Sequence, residues 1–278
     1  MALPKFQGKS LIAVPEFVPS IGFLEGDFGK EVAKEVDSKY KGFNAVEKIG
    51  KYDSGVVKGS NPLYVVAVNE VIRPEGLRTA TQADLEKALK IGVLSLRGQY
   101  EDTALVLRTE GDPNSYLAKH LMKQVKARGS NNMPVMIPLV GLDLERDSSS
   151  PCGLAFKLRD DAEIFYDPIL NKSGGNFSSL DIDEKTGLPK KLSEGDRYFY
   201  TRDDKAGLSR LNLSRDLFMY SSWSDLQGSG SYGRVVVMSA KGASQNFSSY
   251  VSKLEAEKKR QETEIEEKFS KAMKFLKG

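Results

Sequence analysis

Among 278 residues there is one cysteine, Cys152, and one histidine, His120. A lone cysteine excludes an intrachain disulfide and a cysteine-rich metal site, and it reads as a buried structural thiol. A lone histidine removes the paired imidazoles that many metal and acid–base sites use. His120 lies in NSYLAKHLMKQV beside Leu121, one residue off the apolar face, and reads as partly exposed and structural. Serine hydrolase chemistry would need this histidine as base, and no G-x-S-x-G elbow is present. Neither a P-loop nor a dinucleotide glycine fingerprint follows an apolar run. GSGSYG, residues 228–233, precedes the strand-like RVVVM instead of a helix, so no helix N-terminus is there to hold a phosphate. The acidic pairs Asp160-Asp161, Asp181-Asp183 and Asp203-Asp204 lack EF-hand spacing and read as solvated turns. No catalysis, metal or cofactor is expected.

Long hydrophobic runs are missing too. No stretch approaches the roughly 20 apolar residues that span a bilayer. The apolar patches near the start are cut by Pro4, Pro15 and Pro19, with no basic region ahead of them, so a secretory leader is not expected. The chain is expected to be cytoplasmic at synthesis, with later display on a surface or virion compatible with that. Its 41 basic and 38 acidic residues leave a net charge of +3, too even to point to nucleic acid. Hydrophobic content of 40% and charged content of 28% are those of a globular protein.

Along the chain, residues 1–60 read as an N-terminal extension packed on a core. It is extended and proline-punctuated to residue 27, then helical from Phe28 to Tyr40. LYVVAVNEVI, 63–72, is an apolar β-branched run that predicts a buried strand. Thr81 with Asp84 predicts a capped helix ending at Gly92. DTALVLRT, 102–109, predicts a strand, and Asp112 with Pro113 predicts the start of a helix running to Gly129. PVMIPLVGL, 134–142, and LAFKLRDDAEIFY, 154–166, read as single strands. The segment 171–196 reads as a polar connection outside the core, and YFYTR at 198–202 as a further strand. Residues 251–278 predict a mixed-charge amphipathic helix with Ile265, Phe269, Ala272 and Leu276 on one stripe. Lys258 and Gln261 interrupt that stripe, so the helix suits docking or a modest homo-oligomer contact rather than a long coiled coil. Two helices early and many strands late give an α+β class with mixed or antiparallel strands.

One stretch differs from the rest. Between Lys205 and Lys241, thirty-five residues contain neither Lys nor Glu. Of the twenty-five residues from Ser209 to Gly233, fifteen are Ser, Tyr, Gly, Asn or Asp, and the only tryptophan, Trp223, is among them. Leu211, Leu213, Leu217 and Met219 alternate with Asn212, Ser214, Asp216, Phe218 and Tyr220, which predicts an apolar inner face and a displayed outer one. Leu226 and Val235 to Val237 add anchors. Between them come Ser221, Ser222, Trp223, Ser224, Asp225, Gly230 and Tyr232. This is the composition of antibody contact loops, where Tyr and Trp give rigid area and small polar residues adapt their hydrogen bonds. Tyr220, Trp223 and Tyr232 are expected to be exposed on one surface with Asn212, Ser214 and Asp225.

The segment AGLSRLNLSRDLFMYSSWSDLQGSGSYGRVVV, within about residues 206–238, resembles the variable region of proteins diversified by diversity-generating retroelements, especially archaeal ones. The resemblance implies a C-type lectin fold over 61–242, followed by the C-terminal helix at 245–278. It implies that positions encoded by adenine-rich codons vary. In this chain the matching residues are Asn212, Ser214, Asp216, Phe218, Tyr220, Ser222, Ser224, Asp225, Gly230 and Tyr232, with Ser221 and Trp223 in the same surface. Leu211, Leu213, Leu217, Leu226 and Gly233-Arg234-Val235 would be the fixed frame. Sugar-binding C-type lectins usually carry disulfides and two calcium-binding tripeptides close together. Here Asp112-Pro113-Asn114 and Trp223-Ser224-Asp225 are more than a hundred residues apart, so calcium-dependent sugar binding is not expected. Related formylglycine-generating domains need reactive cysteines, and Cys152 stands alone.

The expectation is a ligand-binding display protein whose partner is probed by a hypervariable patch. A protein surface is the expected ligand, without catalysis. The second reading is an assembly protein that oligomerises through its C-terminal helix, with the Ser- and Tyr-rich patch as a fixed subunit contact.

Overall fold

The computed structural model describes residues 21–204 and 206–239, together with the backbone pairing of Lys5–Phe6 with Lys9–Ser10. These residues belong to a compact unit that ends at Ser239. The tail expected as a helix, with Ile265, Phe269, Ala272 and Leu276, lies outside the described residues. The class is α+β, with four α-helices among the described residues and a mixed sheet.

Three helices fall where the sequence places them. The first, α1 (Gly26–Lys39), buries Gly29, Val32, Ala33 and Val36. The next element is a correction: LYVVAVNEVI is not a strand but the core of α2 (Pro62–Ile72). Asn61 caps it by accepting the Tyr64 N–H at 2.7 Å, and Pro62 occupies the first turn, where a missing N–H does no harm. Every residue from 62 to 69 is buried, so the apolar run shows neither period and its β-branched side chains mislead. In α3 (Gln82–Ile91) the Thr81 and Asp84 capping box is formed, and Gly92 closes the helix with φ +69°. The last helix, α4 (Ser115–Ala127), starts later than expected. Asn114, not Asp112, holds the cap position, and its side chain makes no cap bond.

The main sheet has eight strands. Its order is Phe165–Tyr166, Val135–Pro138, Tyr100–Leu107, Leu208–Leu213, Met219–Tyr220, Arg197–Tyr200 and Gly175–Phe177, with Gly233–Arg234 also paired to Tyr100–Leu107. Two pairings in it are parallel: Met219–Tyr220 with Arg197–Tyr200, and Gly233–Arg234 with the start of Tyr100–Leu107. Tyr100–Leu107 is buried at every position and separates two cores by strand alternation. Leu105 and Leu107 pack with α1, α2 and α4 on one side. Ala104 and Val106 pack with Phe177, Phe199, Leu211, Leu213 and Met219 on the other.

Residues 21–60 supply Leu24, Val32, Val36 and Val57 to the first of these cores. The run 134–142, expected as one strand, breaks at a 3-10 turn over Leu139–Gly141. Beyond the turn the chain continues as Leu142–Arg146, which pairs with Leu154–Leu158 in a separate hairpin. LAFKLRDDAEIFY likewise splits, because Phe165–Tyr166 joins the main sheet instead. The polar connection 171–196 is not wholly outside the core, since Phe177 and Leu188 are fully buried. A buried ion pair, Arg197 with Glu86 at 2.5 and 2.9 Å, ties α3 to the strand Arg197–Tyr200. Among the described residues no helix is long and apolar enough to cross a membrane.

Candidate functional site

The Ser- and Tyr-rich stretch enters the sheet as Leu208–Leu213, antiparallel to Tyr100–Leu107. It turns over Ser214–Phe218, where Ser214 N–H donates to the Phe218 carbonyl at 2.8 Å and Leu217 N–H to the Ser214 carbonyl at 2.9 Å. Leu217 takes the left-handed conformation, φ +65°, which is costly for a branched side chain and marks a turn imposed by its surroundings. Its carbonyl accepts from Arg197 Nε at 2.6 Å. The chain returns as Met219–Tyr220 and leaves as a loop, 221–232, that ends where Gly233 meets Tyr100. A Cβ on Gly233 would lie 2.6 Å from the Ser60 nitrogen, so only glycine fits there.

The inner face is as expected, with Leu211, Leu213 and Met219 buried in the second core and Leu217 packed against it. The outer face needs three corrections. Asn212 is fully buried, Ser214 nearly so, and Ser221 fully buried. Asn212 is paired with Asp102 on one side and Tyr220 on the other, past a bulge after Leu211, so its outward direction meets protein instead of water. Ser221 extends the sheet, its N–H donating to the Tyr200 carbonyl at 2.7 Å and its hydroxyl to Thr201 at 2.9 Å. The other nine expected residues reach solvent: Asp216, Trp223, Asp225, Gly230 and Tyr232 are exposed, and Phe218, Tyr220, Ser222 and Ser224 half-buried.

The loop is held by its backbone. Asn61 Nδ2 donates to the Gln227 carbonyl at 2.8 Å, and Asn114 Nδ2 to those of Leu208 at 2.8 Å and Ser224 at 2.7 Å. Arg108 Nη2 donates to the Ser221 carbonyl at 3.1 Å, and Arg210 Nη1 to that of Gly228 at 3.1 Å. The Tyr100 hydroxyl accepts from Gly230 N–H at 2.8 Å and donates to the Ser60 carbonyl at 2.9 Å. Asp225 shapes the loop from within, its carboxylate accepting from the N–H groups of Gln227 and Gly228 at 3.0 and 2.7 Å. Of the outward side chains, Ser222, Trp223, Ser224 and Tyr232 contribute nothing to this hydrogen-bonded frame. The sequence gives no hint of Asn61 and Asn114 in this role, since their partners in the stretch lie 94 to 166 residues away.

On the outer surface the rings form a row. Tyr198 and Tyr200 are 4.4 Å apart, Tyr200 and Tyr220 4.4 Å apart and stacked at 13°, and Tyr220 and Trp223 5.0 Å apart. Phe218 lies 6.1 Å from Tyr200. Tyr198 and Tyr200 are absent from the sequence-based set. Their signal is the alternation in YFYTR, which turns Phe199 into the core and both tyrosines the other way.

Beneath the loop lies a buried polar layer. Asp102, 3% exposed, accepts from Ser60 Oγ at 2.7 Å and lies 3.4 Å from Arg210 Nη1. Burial raises the Asp102 carboxyl against the pull of Arg210 and Ser60, and it holds the Glu101 carboxyl well above the ordinary range, helped by the Asp102 charge. Burial likewise lowers the Arg108 guanidinium to about 10.

His120 is remote from this chemistry in its bonding. It joins α4 to the neighbouring hairpin, with Nδ1 3.2 Å from the Phe156 carbonyl and Nε2 3.0 Å from Glu145. Cys152 is half-buried, its thiol donating to the Leu154 carbonyl at 3.4 Å. The tripeptides Asp112-Pro113-Asn114 and Trp223-Ser224-Asp225 do meet, but through an amide donor and a carbonyl, Asn114 to Ser224. Among the described residues no three His, Cys, Asp or Glu side chains are grouped to hold a metal ion.

No protein family, no curated protein and no solved structure matches this chain.

Proposed function

We propose that the chain is a display protein without catalytic activity. It would bind a protein partner through the outward residues of 216–232, on a frame of C-type lectin type whose loop codons are diversified by an archaeal retroelement. The observation that carries this reading is the mode of loop anchoring. Asn61, Asn114, Tyr100, Arg108 and Arg210 fix the path through backbone atoms, which are the same whatever side chains the loop bears. A surface held in this way tolerates replacement of its contact residues while keeping its shape. The three buried positions narrow the displayed set to Asp216, Phe218, Tyr220, Ser222, Trp223, Ser224, Asp225, Gly230 and Tyr232.

The test is to replace Ser222, Trp223, Ser224 and Tyr232 together with other members of the Asn, Ser, Tyr and Asp set. The melting temperature should stay within a few degrees, because each site is surface-exposed or nearly so and makes no framework bond. Unfolding of this variant would end the display reading. Reading the neighbouring DNA gives an independent arm: a near-identical template copy of codons 206–238 beside a reverse transcriptase is expected.

A further inference from the structure

The aromatic row spans two strands, and only part of it belongs to the Ser- and Tyr-rich stretch. Tyr198 and Tyr200 come from Arg197–Tyr200, outside 206–238, whereas Phe218, Tyr220 and Trp223 come from within it. Any change at 218, 220 or 223 would leave half of the row standing. The surface therefore has a constant aromatic part, and a constant part implies a constant chemistry in whatever lands on it.

Three observations say which chemistry. Two rings in this patch already hold a guanidinium: Arg210 lies 5.0 Å from the Trp223 ring centre, and Arg215 lies 4.6 Å from that of Tyr232. Among the described residues, no cation lies over Tyr198, Tyr200 or Tyr220. Asp216 stands exposed in the turn that carries Phe218, and its carboxylate makes no hydrogen bond or ion pair with any described residue. The patch thus offers π-faces and a free negative charge, while its own two arginines are already engaged.

We propose that Tyr198, Tyr200 and Tyr220, with Asp216 on the turn that carries Phe218, receive an arginine-bearing segment of a partner protein. Arginine fits better than lysine because a planar guanidinium stacks on rings and presents paired donors to a carboxylate. The proposal rests on the display reading and adds a partner class to it. The turn that carries Asp216 brings Phe218 to 6.1 Å from Tyr200.

The single tryptophan makes the test direct, since all indole emission comes from Trp223. The full chain is titrated with a nine-residue peptide alternating Arg and Ser, and with its Lys-Ser and Glu-Ser counterparts. The Arg-Ser peptide should change Trp223 emission saturably, the Lys-Ser peptide more weakly, and the Glu-Ser peptide not at all. Tyr200→Ala and Asp216→Asn should each weaken Arg-Ser binding about tenfold. Should Tyr200→Ala fail to fold, Asp216→Asn in the exposed turn decides alone. No saturable response, equal response to the Glu-Ser peptide, or undiminished binding in Asp216→Asn overturns the proposal. A chain that keeps its melting temperature through loop replacement yet ignores the Arg-Ser peptide removes this partner class and leaves the display reading intact.

Discussion

The guanidinium of Arg210 lies 5.0 Å from the centre of the Trp223 ring, with Nη1 3.4 Å from Asp102 below and 3.1 Å from the Gly228 carbonyl in the loop. One buried side chain thus joins a sheet carboxylate, a displayed ring and the loop backbone. Arg210→Met keeps the bulk but leaves Asp102 with Ser60 as its remaining side-chain partner. Breaking a buried pair from one side costs about 3 kcal/mol, which should appear as a lower urea midpoint together with shifted Trp223 emission. A change under about 0.5 kcal/mol would mean that Asp102 is neutral in the folded protein and needs no cation.

Asn212 has the opposite problem. It is fully buried, and neither atom of its amide has a hydrogen-bond partner in the structure. An unmet buried amide is destabilising by about 1–3 kcal/mol, and leucine has nearly the same shape without that demand. Asn212→Leu should therefore raise the unfolding midpoint, whereas Asn212→Tyr should lower it by overpacking. Loss of stability in Asn212→Leu would show that the amide is satisfied by internal water.

That residue also marks where sequence reading stops. Alternation assigns Asn212 correctly to the face opposite Leu211 and Leu213, but alternation says nothing about what covers a face. The sheet places Asn212 between Asp102 and Tyr220, which the local pattern does not reveal. LYVVAVNEVI fails differently: a helix buried on all sides has no polar stripe, and the Asn61-Pro62 start signal is outweighed by a β-branched run. Amphipathic α1 and α3 were legible because one face meets water. Tyr198 and Tyr200 are legible in pattern, but nothing local ties them to Tyr220; the parallel pairing of Phe199 with Met219 and of Tyr200 with Tyr220 does so.

Glu101 should give the protein a pH dependence. Unfolded, it ionises near the usual value of about 4.3. Folded, burial first and the Asp102 charge second keep it protonated to much higher pH, against the Val236 N–H and Arg234. Between those two values the folded state binds more protons than the unfolded one, so this group makes stability fall as pH rises. Asp102, also raised, acts in the same sense. Glu101→Gln removes the proton to be lost while keeping an acceptor for Val236. Its stability relative to the parent chain should be near parity at pH 4 and increasingly favourable towards pH 8, by urea unfolding at both. A difference that stays constant with pH would refute the assignment.

Arg108 holds the loop where it leaves the sheet. It is 2% exposed and donates to the Leu170 carbonyl at 2.9 and 3.2 Å, to Ser209 Oγ at 2.6 Å, and to the Ser221 carbonyl and hydroxyl, both at 3.1 Å. All of these acceptors are uncharged, so the guanidinium is kept for its fork of donors rather than for an ion pair. Arg108→Lys preserves the charge but presents one ammonium where several fixed N–H groups are needed. The Leu170 and Ser221 carbonyls each retain a hydroxyl donor, from Thr201 and Ser209 at 2.6 Å, which limits the damage. The expected loss is therefore about 1–3 kcal/mol, not global unfolding. Because the loop's exit is what loosens, amide exchange should quicken most at Ser221, whose N–H bonds the Tyr200 carbonyl, and less within α1. Uniform acceleration throughout the chain would instead make Arg108 an ordinary core residue with no particular hold on the displayed loop.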